Sequence, residues 1–93
     1  MDKVEAKAVL SALLADYRAT SYSELQHLLG TQDVMEVTAD SGAEYQIEIQ
    51  AIWDNKEYGN LRVMGLIDDG GIRAFFPLTD DFIMTPDGEF VGE

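Results

Sequence analysis

The sequence of 93 residues contains no cysteine, one histidine and only six lysine or arginine residues. The absence of cysteine excludes disulfides, thiolate zinc sites and CxxC redox motifs. Six scattered basic residues against 18 acidic ones cannot form the positive surface that binds nucleic-acid phosphates. Anionic membrane surfaces repel a chain with this net charge of −12. We therefore expect neither nucleic acid nor membrane as a partner.

We expect no secretion signal at the start of the sequence. Met1–Glu5 leads directly into alternating charged residues and alanine, without an apolar core. Uncharged stretches in the first half, such as Ala8–Ala15, are too short to span a bilayer. We expect a cytoplasmic protein that forms one domain over residues 1–93.

Charge and hydrophobic period both change near Gly30. Residues 1–30 hold four acidic and three basic residues, whereas residues 31–93 hold fourteen and three. Neither half can bury its apolar side alone, so the helical half 1–30 and the acidic β half 31–93 must pack together.

Residues 1–30 have a helical pattern. The apolar positions at helical spacing are Leu10, Leu13, Leu14 and Tyr17. They predict an amphipathic helix over 3–18. Ser21 followed by Glu24 matches a capping box, and Gly30 is a suitable stop, which predicts a second helix over 22–29. Together they form a helical hairpin.

After Gly30 the period falls to two. Apolar residues stand at every second position from 45 to 53, and the polar Glu44, Gln46, Glu48 and Gln50 alternate with them. Residues 34–39 are the expected partner strand. A two-residue turn would place Glu36 opposite Ile47. A three- or five-residue turn places Val37 opposite Ile47 and keeps each face uniform, so we expect the odd loop.

A second hairpin is predicted around Asp69–Gly70. It pairs 61–67 with 72–76, with Ile67 opposite Ile72, and Pro77 ends it. A turn at Pro86–Gly88 gives a short C-terminal extension. The expected fold class is α+β, with the helical hairpin on one face of a four-stranded antiparallel meander in order 1-2-3-4. The expected core residues are Tyr17, Leu25, Leu28, Val37, Ile47, Ile49, Trp53, Val63, Ile67 and Phe76.

One sequence run carries a family resemblance. The segment IDDGGIRAFFPLTDDFIMTPDGEFVGE from Ile67, together with 51–54, resembles a small bacterial family of conserved hypothetical proteins. The signature of that family is IDDGG…RAF.PL…FI..PDG.FVGE. The resemblance covers about the C-terminal half. It implies that the two turns in this segment are real, and it implies no activity.

Four aspartates fall near the predicted turns: Asp68, Asp69, Asp80 and Asp81. Aspartate is favoured in turns because its side chain bonds nearby backbone amides. Four converging carboxylates could instead bind a hard cation, as in a metal-dependent hydrolase. His27 is the single histidine and lacks a complete catalytic motif. We therefore expect no enzyme activity, no catalytic residue, no metal and no cofactor.

The predicted registers place four apolar residues opposite the helix-covered face of the sheet. This apolar patch consists of Ile52, Met64, Leu66 and Phe75. It predicts a protein interface and a homodimer, unless residues 78–91 fold over it. The acidic half suggests an alternative, an inhibitor or immunity-type protein that faces a basic enzyme with Asp68, Asp69, Asp80 and Asp81.

Overall fold

A computed structural model describes residues 1–71 and 76–93. Helix α1 spans Lys3–Arg18, and helix α2 spans Tyr22–Leu25. The Asp2 carboxylate caps α1 by accepting a hydrogen bond from the Glu5 N–H at 3.0 Å. In the described part of the chain, no helix has the length and apolar character needed to cross a membrane.

The second helix is shorter than predicted. Ser21 caps it as expected, since its Oγ accepts from the Glu24 N–H at 3.2 Å. The chain then tightens into a 3₁₀ turn, Gln26–Leu28, and Leu29 is already extended. Leu29 forms a bridge with Ala51, so pairing with the sheet ends the helix before Gly30. Gly30 has a positive φ of 74° but follows an extended residue rather than a helix.

Four strands form one antiparallel sheet in the order β1-β2-β3-β4. Their bounds are Asp33–Thr38 for β1, Glu44–Trp53 for β2, Leu61–Asp68 for β3 and Leu78–Met84 for β4. Helix α1 packs mainly on β3 and β4, and the 3₁₀ turn packs on β2. The α+β meander with helices on one face is confirmed.

The β1–β2 register differs from the predicted one by two residues. Met35 lies opposite Ile47, because the loop is Asp40–Gly42, with Gly42 at a positive φ of 90°. The odd loop and the assignment of faces are therefore right, and the predicted Val37–Ile47 pair is wrong. The predicted register would have placed Glu36 opposite Glu48. The observed one places Val34 there and avoids the like-charge pair.

The partner of β3 is also different. Residues 78–84 pair with β3, with Ile67 opposite Leu78, so the predicted pairing with 72–76 is wrong. This arrangement buries Phe82 and Met84. Residues 72–75 lie outside the described part of the chain. Phe76 is 70% exposed, so its predicted core position is wrong as well.

The core lies between α1 and the sheet. Ala6, Leu10 and Leu14 of α1 are buried. Six of the ten predicted core residues are buried: Leu25, Leu28, Ile47, Ile49, Val63 and Ile67. Three others are only partly buried, namely Tyr17, Val37 and Trp53. Tyr17 lies at the flank of α1, Val37 lies on the edge strand β1, and Trp53 lies at the end of β2.

The C-terminal segment returns on the helix side of the sheet. Phe90 bridges to Met84, and its ring meets Phe82 edge-on at 5.8 Å between centroids. The Arg18 guanidinium lies 5.1 Å from the Phe82 ring centroid and 5.0 Å from that of Phe90, and it pairs with Glu93. Residues 78–91 thus form an edge strand and its return, and they do not fold over the opposite side.

Candidate functional site

The candidate site is the side of the sheet opposite α1, here called the outer face. Side chains alternate along each strand, so the register assigns every second residue to this face. No helix or strand within 1–71 and 76–93 packs against it. Its apolar members are Val34, Ile52, Met64, Leu66 and Ile83. Val34 is 61% exposed and Ile52 is 47% exposed.

Three residues of the predicted apolar patch are on this face. Ile52 of β2 lies opposite Arg62 of β3. Met64 and Leu66 are the next two residues of β3 on the same face, so Ile52 is a diagonal neighbour of Met64. Met64 and Leu66 are half-buried. Phe75 lies outside the described residues. Polar side chains interrupt the patch, because Met64 is opposite Gln50 and Leu66 is opposite Glu48.

The outer face is strongly acidic. Its carboxylates belong to Glu36, Glu44, Glu48, Asp68 and Asp81. Among the described strand residues, Arg62 is the one cation on this face, so these six side chains carry a formal charge of −4.

Arg62 itself is held by two carboxylates. Its Nη2 lies 2.8 Å from the Asp54 Oδ1, and its Nη1 donates to the Asp81 Oδ2. The hydrogen bonds to Asp54 and then Asp81 raise the pKa of the guanidinium. Two carboxylates thereby match the charge of Arg62, and no other cation of the described strands lies among the remaining acidic groups of the face.

The four predicted turn aspartates separate. Asp68 and Asp81 lie on the outer face, Asp69 is in the loop after β3, and Asp80 lies on the helix side opposite Gly65. By register, Asp68 and Asp81 face a partner that sits on the outer face, and Asp80 also lines a depression on that face with Met64 and Leu66.

Hydrogen bonds identify Asp68 and Asp69 as turn residues. The Asp68 Oδ1 accepts from the Gly70 N–H at 2.8 Å, and the Asp69 Oδ1 accepts from the Gly71 N–H at 3.2 Å. The latter bond is the main cause of the lowered pKa of Asp69. Across the described ranges, no three histidine or carboxylate side chains come close enough to hold a metal ion. The hydrolase alternative therefore gains no support from the geometry.

A depression of about 310 Å³ lies beside the patch. Met64 and Leu66 supply apolar walls, and the polar walls come from Gln50, Thr79, Asp80 and Asp81. An apolar wall beside a carboxylate accommodates the methylene stem and the charged end of a lysine or arginine. This arrangement suits recognition of a cationic side chain.

Thr79 and Ile83 are outer-face residues that were not predicted. The period-two pattern of TDDFIM contains the signal, since Ile83 is the apolar residue between the inward Phe82 and Met84. Assigning 72–76 as the last strand concealed that pattern. His27, the other residue considered for chemistry, is exposed at the 3₁₀ turn, remote in sequence from these strands.

No protein-family model, curated protein or solved structure matches this chain. The resemblance of the C-terminal half to a family of conserved hypothetical proteins stays a prediction.

Proposed function

We propose that this protein is a non-enzymatic binding module whose outer face docks a basic surface of another protein. The observation that carries the proposal is the depression formed by Met64, Leu66 and Asp81, which combines apolar contact with an acidic wall. An acidic inhibitor of a basic enzyme is the form of this function that the charge favours.

The charge of the outer face supports a basic partner over a second copy. The described strand residues of this face carry a formal charge of −4, which steers a cationic partner toward it and accelerates association at low salt. Two copies placed face to face would instead bring like charges together. Glu48 and Gln50 also interrupt the apolar residues, so the apolar area available to a homodimer is divided.

A photo-cross-linking experiment tests the proposal in host cells. A photoreactive phenylalanine analogue replaces Ile52 on the outer face, and the same analogue at Lys7 on α1 serves as the control. We expect Ile52 to capture a basic protein that Lys7 does not capture, with identification by mass spectrometry. Capture of a second copy from Ile52, or the same proteins from both positions, would contradict the proposal.

Charge reversal gives the matched variant. Glu48→Lys changes the outer face, while Glu89→Lys makes the same change in net charge at an exposed turn residue. We expect Glu48→Lys to abolish the cross-link from Ile52 and Glu89→Lys to retain it. Equal loss with both variants would mean that net charge alone, rather than the outer face, controls binding.

A further inference from the structure

A second surface lies on the helix side of the sheet. Because α1 packs mainly on β3 and β4, it leaves the inner side of β1 partly open. A groove of about 530 Å³ runs between α1 and β1. Its apolar walls are Ala8, Val9, Ala12 and Leu13 from α1 and Val37 from β1. Ala8 and Ala12 are exposed, and the other three are half-buried.

The groove adjoins the outer edge of β1. β1 pairs with β2 alone, and none of the described strands occupies its other side. The Ala39 N–H donates to the Ala43 carbonyl at 2.8 Å, which fixes the alternation of backbone hydrogen bonds along β1. The N–H and C=O groups of Val34, Glu36 and Thr38 therefore point away from β2. Such an edge is a template for an added strand.

The charges around the groove have one sign. Glu5 and Asp16 of α1 and Asp40 of the loop line it, and no lysine or arginine does so among the described residues. The Glu36 side chain lies on the outer side of the same edge. A strand beside β1 would direct alternate side chains into the groove and toward the outer side.

We propose that the α1–β1 groove binds an extended peptide segment of a partner, added to β1 as a fifth strand. Its apolar residues occupy alternate positions and enter the groove, and the basic residues between them lie near Glu36. Backbone pairing supplies the affinity, and the groove and the acidic groups supply the specificity. This site shares Glu36 with the outer face but lies on the helix side of β1, and it does not depend on the function proposed above.

The test uses a labelled peptide of about eight residues in which valine and lysine alternate. A peptide with the same composition but with the four lysines before the four valines is the control. We expect saturable binding of the alternating peptide by fluorescence anisotropy, with amide signals of Val34, Glu36 and Thr38 shifted and protected from exchange. Equal binding of the block peptide, no binding of either, or shifts confined to β4 would overturn the proposal.

Two variants probe the groove and the edge separately. Ala12→Trp fills the groove, and Ala15→Trp places the same ring at another exposed position of α1. Glu36→Pro removes one outward N–H, which an edge strand tolerates, while Glu36→Ala keeps that N–H. We expect Ala12→Trp and Glu36→Pro to weaken binding about tenfold, from lost contact and a lost hydrogen bond.

The controls separate this site from the outer face. Ala15→Trp and the outer-face variant Glu48→Lys should bind the alternating peptide within about threefold of the parent, and Glu36→Ala only slightly more weakly. If Glu36→Pro does not fold, Ala12→Trp decides the result. Unchanged affinity with Ala12→Trp would overturn the proposal.

Discussion

Leu10 of α1 lies directly over Gly65 of β3: a Cβ atom at Gly65 would stand 2.6 Å from the Leu10 Cδ1. The same Cβ would lie 3.2 Å from the Ile49 Cδ1. Because Gly65 has no side chain, α1 can pack close to the middle of the sheet. Gly65 is required by contact with its neighbours rather than by a turn.

We expect Gly65→Ala to lower the free energy of unfolding by about 1 kcal/mol, because buried side chains must move to admit the methyl group. Urea unfolding measures the change. The loss should be smaller in a Leu10→Ala background, where room exists above the strand. Greater stability of Gly65→Ala would contradict the close packing and point to the higher strand propensity of alanine.

Sodium chloride should stabilise the protein. The net charge of −12 repels itself across the folded chain, and salt screens that repulsion. We expect the Tm to rise with salt. The rise should be steeper in Arg62→Met, which removes a cation from the outer face, and less steep in Glu48→Gln, which removes a carboxylate from it. Calorimetric melts at about 0.02 M and about 0.5 M NaCl provide the measurement. Equal slopes in the three proteins would show that the charge of this face does not affect stability.

Alkaline pH should destabilise the fold through Tyr45. Its hydroxyl donates to the Glu5 Oε1 at 2.8 Å, and this bond, with burial, raises the pKa of Tyr45 to about 12. The stability that protonated Tyr45 contributes to the fold is fully present below about pH 10, where the tyrosine of the unfolded chain is also protonated. This stability is lost as the pH rises through about 12. Burial and the hydrogen bond to Asp33 raise the pKa of Tyr17 as well.

The measurement compares the parent protein with Tyr45→Phe by urea unfolding at several pH values above 9. The stability difference between the two should narrow as the pH approaches 12. Tyr17→Phe removes the other phenol of raised pKa, and its stability difference from the parent protein should narrow with pH in the same way. A difference that does not change with pH would mean that the Tyr45–Glu5 bond does not persist in solution.

Self-association through the outer face is the competing prediction, and salt separates it from binding of a basic partner. A homodimer must overcome like-charge repulsion, so it should tighten as salt rises, whereas an acidic–basic complex should weaken. Sedimentation equilibrium at about 0.02 M and about 0.5 M NaCl detects the dimer. Ile52→Glu should abolish any dimer formed through this face. A dimer insensitive to Ile52→Glu must use another surface.

Most of the fold was predictable because its signals are local. The 3.6-residue period specified α1, and the two-residue period specified β2 and β3. The last strand was not predictable in the same way. Asp69–Gly70 favours a tight hairpin, and both 72–76 and 78–84 are apolar enough to pair with β3. Pairing of Ile67 with Leu78 depends on burying Phe82 and Met84, which are far from the turn.

The candidate surfaces also divide into one that local sequence signals predict and one that depends on tertiary packing. Alternation along β3 placed Met64 and Leu66 on the outer face correctly. The α1–β1 groove could not be predicted, because it depends on where α1 sits across the sheet. That position is determined by the contact of Leu10 with Gly65, and it leaves Val37 only half-buried.

The one-sided packing of the sheet also determines where substitutions are tolerated. Along β2, the buried Ile47 and Ile49 alternate with the more accessible Gln46, Glu48 and Gln50. A scan of all substitutions along β2 should therefore show a two-residue period, in which substitutions at odd positions prevent folding and those at even positions do not. Related chains could then diversify the even positions of this strand and change partners while keeping the same interior.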